Sequence, residues 1–226
     1  MFEQILPVFI LQILKKMTDK IPSPEESMSI ISSMIQQTKH RVAPADIRVS
    51  VMWGIITIVT AIMVTILLLT MRDPVYNYGW FAIPVIGIPL NILIVRRSRT
   101  EKKVRTPIDR MSDRIWKIVG YTGLTLTAIC VIFTLCDYKQ AWLAMFYYAF
   151  IVVGLGASAQ GAILQENSYI VGGVISVITG FCLIMATLIG VPLLVYWVMP
   201  LYIACFLLMF IVPAFIICRK YRKGMA

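Results

Sequence analysis

Long runs of apolar residues with almost no charge are the feature that most constrains this chain. Six such stretches occur, each close to the roughly 20 residues that a helix needs to cross the hydrocarbon core of a bilayer. They cover residues 49–71, 79–95, 115–136, 141–164, 168–190 and 193–218. Backbone polar groups in lipid must be satisfied within each segment, which favours helices. The pattern therefore predicts an all-α, polytopic membrane protein with six transmembrane helices.

Composition supports the same class of protein. The chain is 59% hydrophobic and 14% charged, whereas soluble domains average about 25% charged residues. If both termini lie on the same side of the membrane, all but two of the 21 lysine and arginine residues lie on that side as well. The exceptions are Arg72 and Lys139. Such an excess is typical of the cytoplasmic side. We therefore expect both termini in the cytosol and a basic tail at residues 219–226.

A strongly basic loop joins the second and third predicted spans. Its first cations are Arg96, Arg97, Arg99, Lys102, Lys103 and Arg105. We expect them to contact anionic lipid head groups, at about 1 kcal/mol per cation near the surface. Nucleic acid is not an expected partner, because no aromatic residues suited to base stacking alternate with the cations. Pro107 after a threonine indicates a helix that begins before the third span itself.

Small residues recur on one face of both the fourth and the fifth predicted spans. They are Gly154, Ser158 and Gly161 in the fourth span, and Gly172, Ser176 and Gly180 in the fifth. Faces of this kind let helix backbones approach closely. Because only a short segment joins the two spans, we expect a tight antiparallel hairpin. A narrow substrate path along the glycine faces is the alternative interpretation.

Two amide side chains, Asn91 and Gln160, lie within the predicted spans. An amide in lipid costs free energy unless it is hydrogen-bonded, so we expect bonds between helices, with a polar lining to a small cavity as the alternative. Within the span limits, Lys117 is the single ionisable residue among Asp, Glu, His, Lys and Arg. Ser158 in "GLGASAQG" therefore has no base to activate it. We expect no enzymatic activity, no cofactor and no metal.

The N-terminal segment, residues 1–48, contains a second kind of helix. Ser23 and Pro24 begin it and Glu26 completes a capping box, and it should run from about residue 24 to residue 42. Its apolar stripe consists of Met28, Ile31, Ile35 and Val42. A stripe of this kind requires a surface to cover it. The membrane, the basic loop, a second copy of the chain and a cytosolic protein are all candidates.

The first 16 residues are apolar but too short to span a membrane. They either lie in the membrane interface or precede a true start at Met17. The sequence offers no cleavage site of the kind found in signal peptides.

Several segments together resemble a family of small, uncharacterised bacterial inner-membrane proteins. The resemblance lies in "EESMSIISSMIQQTKHR", in Trp53-Gly54, in "VRTPIDRMSDRIWK", in the glycine-rich fourth span, in "IVGGVIS" and in "FIVPAF". It implies a six-span architecture with an N-terminal amphipathic helix on the cytosolic side, a location in a bacterial inner membrane and a start near Met17. It implies no catalytic residues.

Two classes of function remain open at this point. The first is a non-enzymatic module that senses or scaffolds, using the amphipathic helix to engage itself or a cytosolic partner. The second is a small permease or lipid-handling protein that works through Asn91, Gln160 and the glycine faces.

Overall fold

The computed structural model describes residues 28–29, 44–101 and 107–224. The chain divides into two compact units, Met1–Ala43 and Pro44–Ala226. In the first unit, Met28 and its neighbour are helical and Met28 is exposed.

Part of what the sequence predicts lies outside the described residues. This applies to the first 16 residues, to the stripe residues Ile31, Ile35 and Val42, and to the loop cations Lys102, Lys103 and Arg105.

The second unit is built from helices. They are α1 (Pro44–Met71), α2 (Ala82–Glu101), α3 (Pro107–Leu135), α4 (Leu143–Leu164), α5 (Asn167–Leu188), α6 (Val195–Phe206) and α7 (Val212–Gly224). The 3₁₀ helices Pro74–Phe81 and Lys139–Trp142 precede α2 and α4. A π-helical stretch, Leu207–Ile211, joins α6 to α7 and is called the π segment below. No strand occurs in the part of the chain that the structure describes.

Six helical segments are long and apolar enough to cross a membrane. They are Ile47–Met71, Val75–Arg97, Ile108–Leu135, Gln140–Leu164, Asn167–Leu188 and Val195–Lys220. The predicted all-α class, with six helices long and apolar enough to span a membrane, is therefore confirmed. The third span begins seven residues before its predicted start, at Ile108, and the second begins four residues early, at Val75, because a 3₁₀ helix leads directly into α2. Helix α3 begins at Pro107, where the helix-start signal lies, and continues without a break through the third span.

Residues in the left-handed conformation end four of the helices. They are Arg72 after α1, Asp137 after α3, Gln165 after α4 and Gly190 after α5. At Gln165 the backbone N–H groups of the turn reach back to α4, and that of Glu166 bonds the Gly161 carbonyl at 2.9 Å. This closing pattern is common at helix ends and reverses the chain within two residues. It makes α4 and α5 the tight antiparallel hairpin that the short connection indicates.

The helices divide into a packed centre and two peripheral members. Helices α4 and α5 pack on each other, α1 packs against α6 and the π segment, and α5 also packs against the π segment. Helix α2 packs chiefly on α1, and α3 chiefly on α4. In the apolar windows of the second and third spans only 6% of the residues are buried, against 44% in the sixth span.

Seven aromatic side chains, called the aromatic column below, run through the packed centre. They are Trp80, Phe146, Phe150, Tyr202, Phe206, Phe210 and Trp116. Tyr202, Phe206 and Phe210 recur every fourth residue on the sixth span, and so share one face. Their neighbouring rings stack at 4.6 and 5.7 Å. Each such pair contributes about 0.5–1.5 kcal/mol beyond the burial of its area.

Small residues on α1 make room for this column. Ser50, Gly54, Thr57 and Ala61 are buried along one face of the helix. A Cβ atom on Gly54 would lie 2.9 Å from the Cβ of Phe210. The sixth span can therefore approach α1 closely only because this face carries no large side chain.

Candidate functional site

The predicted small-residue faces lie mostly in the interface between α4 and α5. A Cβ atom on Gly154 would lie 3.0 Å from the carbonyl oxygen of Gly173, and one on Gly161 would lie 2.7 Å from the backbone nitrogen of Ile170. A Cβ atom on Gly180 would lie 2.8 Å from the Cβ of Phe150. These contacts leave no space between the helices for the alternative substrate path at these levels.

Both predicted serines bond across the same interface. The Ser176 hydroxyl donates to the carbonyl oxygen of Phe150 at 3.0 Å, and the Ser158 hydroxyl donates to that of Ile170 at 3.4 Å. Ser176 is fully buried. A serine that bonds a neighbouring helix satisfies its hydroxyl and contributes about 0.6 kcal/mol in a membrane protein.

Gly172 and Gly173 separate the hairpin interface from a second one. Gly173, which the sequence pattern did not single out, faces α4, and a Cβ there would lie 2.7 Å from the backbone nitrogen of Ser158. Gly172 points the other way, and a Cβ there would lie 2.8 Å from the carbonyl carbon of Leu208 in the π segment. The paired glycines let α5 approach α4 on one side and the sixth span on the other.

The π segment lies directly before Val212 and Pro213. The backbone N–H of Val212 donates to the carbonyl of Leu207, five residues earlier. The carbonyl of Leu208 would take its π-helical bond from residue 213, but proline has no N–H to donate. The Leu208 carbonyl lies against α5 at Gly172. A π segment inside a helix often marks a functional position.

Gln160 forms the hydrogen bond between helices that its position in lipid favours. Its amide oxygen accepts from the indole N–H of Trp116 on α3. Gln160 is buried, and the Trp116 ring also lies 5.9 Å from that of Phe210. Trp116 therefore connects α3 both to Gln160 on α4 and to the rest of the aromatic column.

Asn91 does not have a comparable partner. Its amide oxygen is buried and makes no hydrogen bond. It lies one turn beyond Gly87, whose close approach to the Trp53 ring joins α2 to α1. Of the two amides singled out, one is therefore paired across helices and the other is not.

A polar cluster lies where the α4–α5 hairpin meets its neighbours. The hydroxyl of Tyr169 donates to that of Ser50 on α1 at 2.9 Å, and both residues are buried. Lys220 on α7 forms an ion pair with Glu166 at 2.6 Å. The hairpin turn is thus fixed to α1 and to α7, two contacts that sequence spacing alone could not identify.

The basic loop begins on α2. Arg96 and Arg97 are exposed near the end of that helix, and Arg99 lies in its last turn. On the far side of the loop, Arg110 and Arg114 are exposed on α3. The cations therefore flank the connection between the two peripheral helices.

Comparison with protein-family models, with curated proteins and with solved structures found no match to this chain. The geometry offers three features with which a function could be built. They are a closely packed centre, two peripheral helices joined by a basic loop, and an apolar pocket between α3 and α4. The aromatic column was not predicted, because its residues come from distant parts of the sequence, and the pocket was not predicted, because it forms only where α3 packs against α4.

Proposed function

We propose that the protein is a non-catalytic membrane module that senses or scaffolds in a bacterial inner membrane, with both termini in the cytosol. The observation that carries this proposal is the division between a packed centre and the two peripheral helices α2 and α3. The loop that joins these two helices is also the most basic part of the chain.

The packed centre supplies a fixed platform. Glycine contacts hold α4, α5 and the sixth span together at backbone distance, and the aromatic column occupies the space inside. Close-packed interiors transmit displacement instead of absorbing it. A force applied to one element is therefore carried to its neighbours, as a sensing or scaffolding protein requires.

The peripheral helices supply the responsive surface. Side chains such as Leu93 on α2 and Ile118 on α3 are exposed, so each helix presents an apolar face to lipid or to another protein. Arg110, Arg114 and Lys117 are exposed at helical spacing on α3. The cations of α2 and those of α3 would each attract anionic head groups or an acidic partner.

The N-terminal amphipathic helix is the proposed contact with the cytosol. Its stripe of Met28, Ile31, Ile35 and Val42 would bind a second copy of the chain or a cytosolic protein. Substituting serine for Ile31 and Ile35 should abolish co-purification of this partner from native membranes. The matched control replaces Ser32 and Gln36, on the polar face, with alanine and should retain it. Equal recovery of the partner with both variants would refute the proposal.

Orientation is tested separately. A reporter fused after Ala226 should be active in the cytosol, as expected from the excess of lysine and arginine on that side. Activity of the reporter outside the cell would refute the proposed topology.

Deletion of residues 17–41 distinguishes the proposal from the permease alternative. A scaffold should lose its partner, whereas a permease that works through Asn91 and Gln160 should still move its substrate. The close contact of Gly154 with Gly173 favours the scaffold, because the glycine faces would have to separate before anything could pass between them.

A further inference from the structure

The π segment gives the sixth span one residue more than a regular α-helix of the same length would hold. Within it the backbone N–H of Val212 donates to the carbonyl oxygen of Leu207, five residues earlier. This bonding is called the π register below, and ordinary α-helical bonding of the same residues is called the α register. A return to the α register would rotate α7 by about 100° and advance it by about 1.5 Å. Each residue of α7 would then take the place that the next residue occupies in this structure.

Pro213 removes a hydrogen bond that normally favours the α register. In that register the N–H of residue 213 would go to the carbonyl of Met209, and in the π register it would go to that of Leu208. Proline has no N–H to donate, so in either register one of these two carbonyls lacks its main-chain donor. The two registers are therefore closer in free energy than they would be with another residue at this position.

Gly172 on α5 provides a weak donor for the carbonyl that the π register leaves without an N–H. A Cβ atom on Gly172 would lie 2.8 Å from the carbonyl carbon of Leu208, and closer still to its oxygen. The α-hydrogen that glycine carries in place of a side chain therefore points at this oxygen, as in the Cα–H···O contacts that recur between packed helices. This contact favours the π register of this structure.

The sequence of α7 repeats two side-chain types one residue apart. Ile217 is buried, with 1% of its surface exposed, and it follows the partly exposed Ile216. Lys220 forms the ion pair with Glu166, and it follows a second cation, Arg219. The α register would therefore place an isoleucine at the same buried position and a cation beside the same carboxylate. Neither register loses the buried isoleucine or the ion pair.

One buried position of α7 distinguishes the two registers. Ala214 is 2% exposed, and the α register would place the larger Pro213 there. Adding volume at a packed position is destabilising, so the π register remains the more populated one.

We propose that the sixth span is a one-residue register switch, in which α7 exchanges between the π register of this structure and the α register. In the first, Lys220 pairs with Glu166, and in the second, Arg219 takes its place. The switch is independent of the partner and the orientation proposed above. Coupling between distant sites requires an element with two discrete arrangements, and α7 would be such an element at the end of the last span.

Zero-length crosslinking with a carbodiimide distinguishes the registers, because it joins a lysine amine to a carboxylate as an amide and leaves arginine unmodified. In the natural chain the amide should join Lys220 to Glu166, whose charged atoms lie 2.6 Å apart. A swapped chain carries Arg219→Lys together with Lys220→Arg, so its amide to Glu166 requires the α register. Peptide mass spectrometry of the full chain in detergent measures both yields.

Two matched variants of the swapped chain shift the registers in opposite directions. Ile217→Ala removes the isoleucine that is buried in the π register, and should raise the yield of the amide at position 219 at least about tenfold. Ile216→Ala removes the isoleucine that the α register would bury, and should lower that yield. Misfolding does not produce a gain of one specific amide. Equal yields with the two variants, or no gain with Ile217→Ala, would overturn the proposal.

Deletion of Leu208 tests whether side-chain reach alone explains the amide at position 219. A regular α-helix that is one residue shorter places Lys220 where the π register places it. The swapped chain with this deletion should therefore form less of the amide than the swapped chain without it. The natural chain with the same deletion should keep its amide at Lys220, which shows that the shortened protein folds. An undiminished yield in the swapped, shortened chain would count against the switch.

Discussion

Replacing Gly173 with alanine tests whether backbone contact between α4 and α5 stabilises the bundle. An added Cβ would lie 2.7 Å from the backbone nitrogen of Ser158, and closer still to the Ser158 hydroxyl and the Gly154 carbonyl. Ordinary contacts between such atoms begin near 3.5 Å. Backbone atoms cannot rotate away as a flexible side chain can, so α5 must move by about 1 Å.

The expected cost follows from that displacement. Overpacking of this kind costs about 1–3 kcal/mol. The shift also weakens the two serine hydrogen bonds across the interface, at about 0.6 kcal/mol each. Alanine itself favours a helix over glycine by about 1 kcal/mol. Gly120→Ala receives the same benefit with nothing within 4 Å of the new methyl group, so the difference in stability between the two variants should be about 2–4 kcal/mol.

The free energy of unfolding, measured by titration with sodium dodecyl sulfate in mixed micelles and followed by circular dichroism, provides the comparison. Gly173→Ala should unfold at lower denaturant than the natural chain, and Gly120→Ala at equal or higher denaturant. The reasoning is refuted if the two alanine variants unfold together, because the predicted clash would then have no energetic consequence.

Three further outcomes follow from single contacts. Ser176→Leu should destabilise the bundle by more than about 1 kcal/mol, because it removes the bond to Phe150 and adds volume at a fully buried position; unchanged stability in detergent would contradict this. Trp116→Phe should cost about 1–2 kcal/mol by leaving the Gln160 amide unpaired, and in a double-mutant cycle the added Gln160→Leu change should recover part of the loss. Lys220→Gln should change the free energy of unfolding by less than about 1 kcal/mol, since its ion pair is exposed on the lysine side; a larger loss in the same titration would show that the pair does more than a surface contact.

The sequence predicts the helical spans well because each is a local property of about 20 consecutive residues. The start of α3 at Pro107 follows from a local signal of the same kind. The second span is the instructive departure. Its predicted limits are residues 79–95, yet the 3₁₀ helix Pro74–Phe81 leads directly into α2 and the apolar span begins at Val75. A short 3₁₀ helix has no characteristic spacing of apolar residues, so the pattern of apolar residues in the sequence could not predict this extension.

Side-chain partners were harder to predict. The pattern singled out Gly172 for the hairpin, yet it packs on the π segment, and the adjacent Gly173 makes the close contact with α4. Adjacent positions on a helix differ by about 100° in direction. A small-residue pattern therefore identifies a region of close packing without deciding which neighbour each glycine meets.

The sequence by itself determined the class of this protein, since a run of apolar residues that must satisfy its own backbone groups in lipid can only become a helix. Only the tertiary structure decided which helices form the centre and which remain peripheral. The aromatic column joins Trp80, Phe150 and Tyr202 across distant parts of the chain, and the apolar pocket between α3 and α4 needs both helices in order to form. Both arise from the packing of side chains between helices, a property of their arrangement that no single segment encodes.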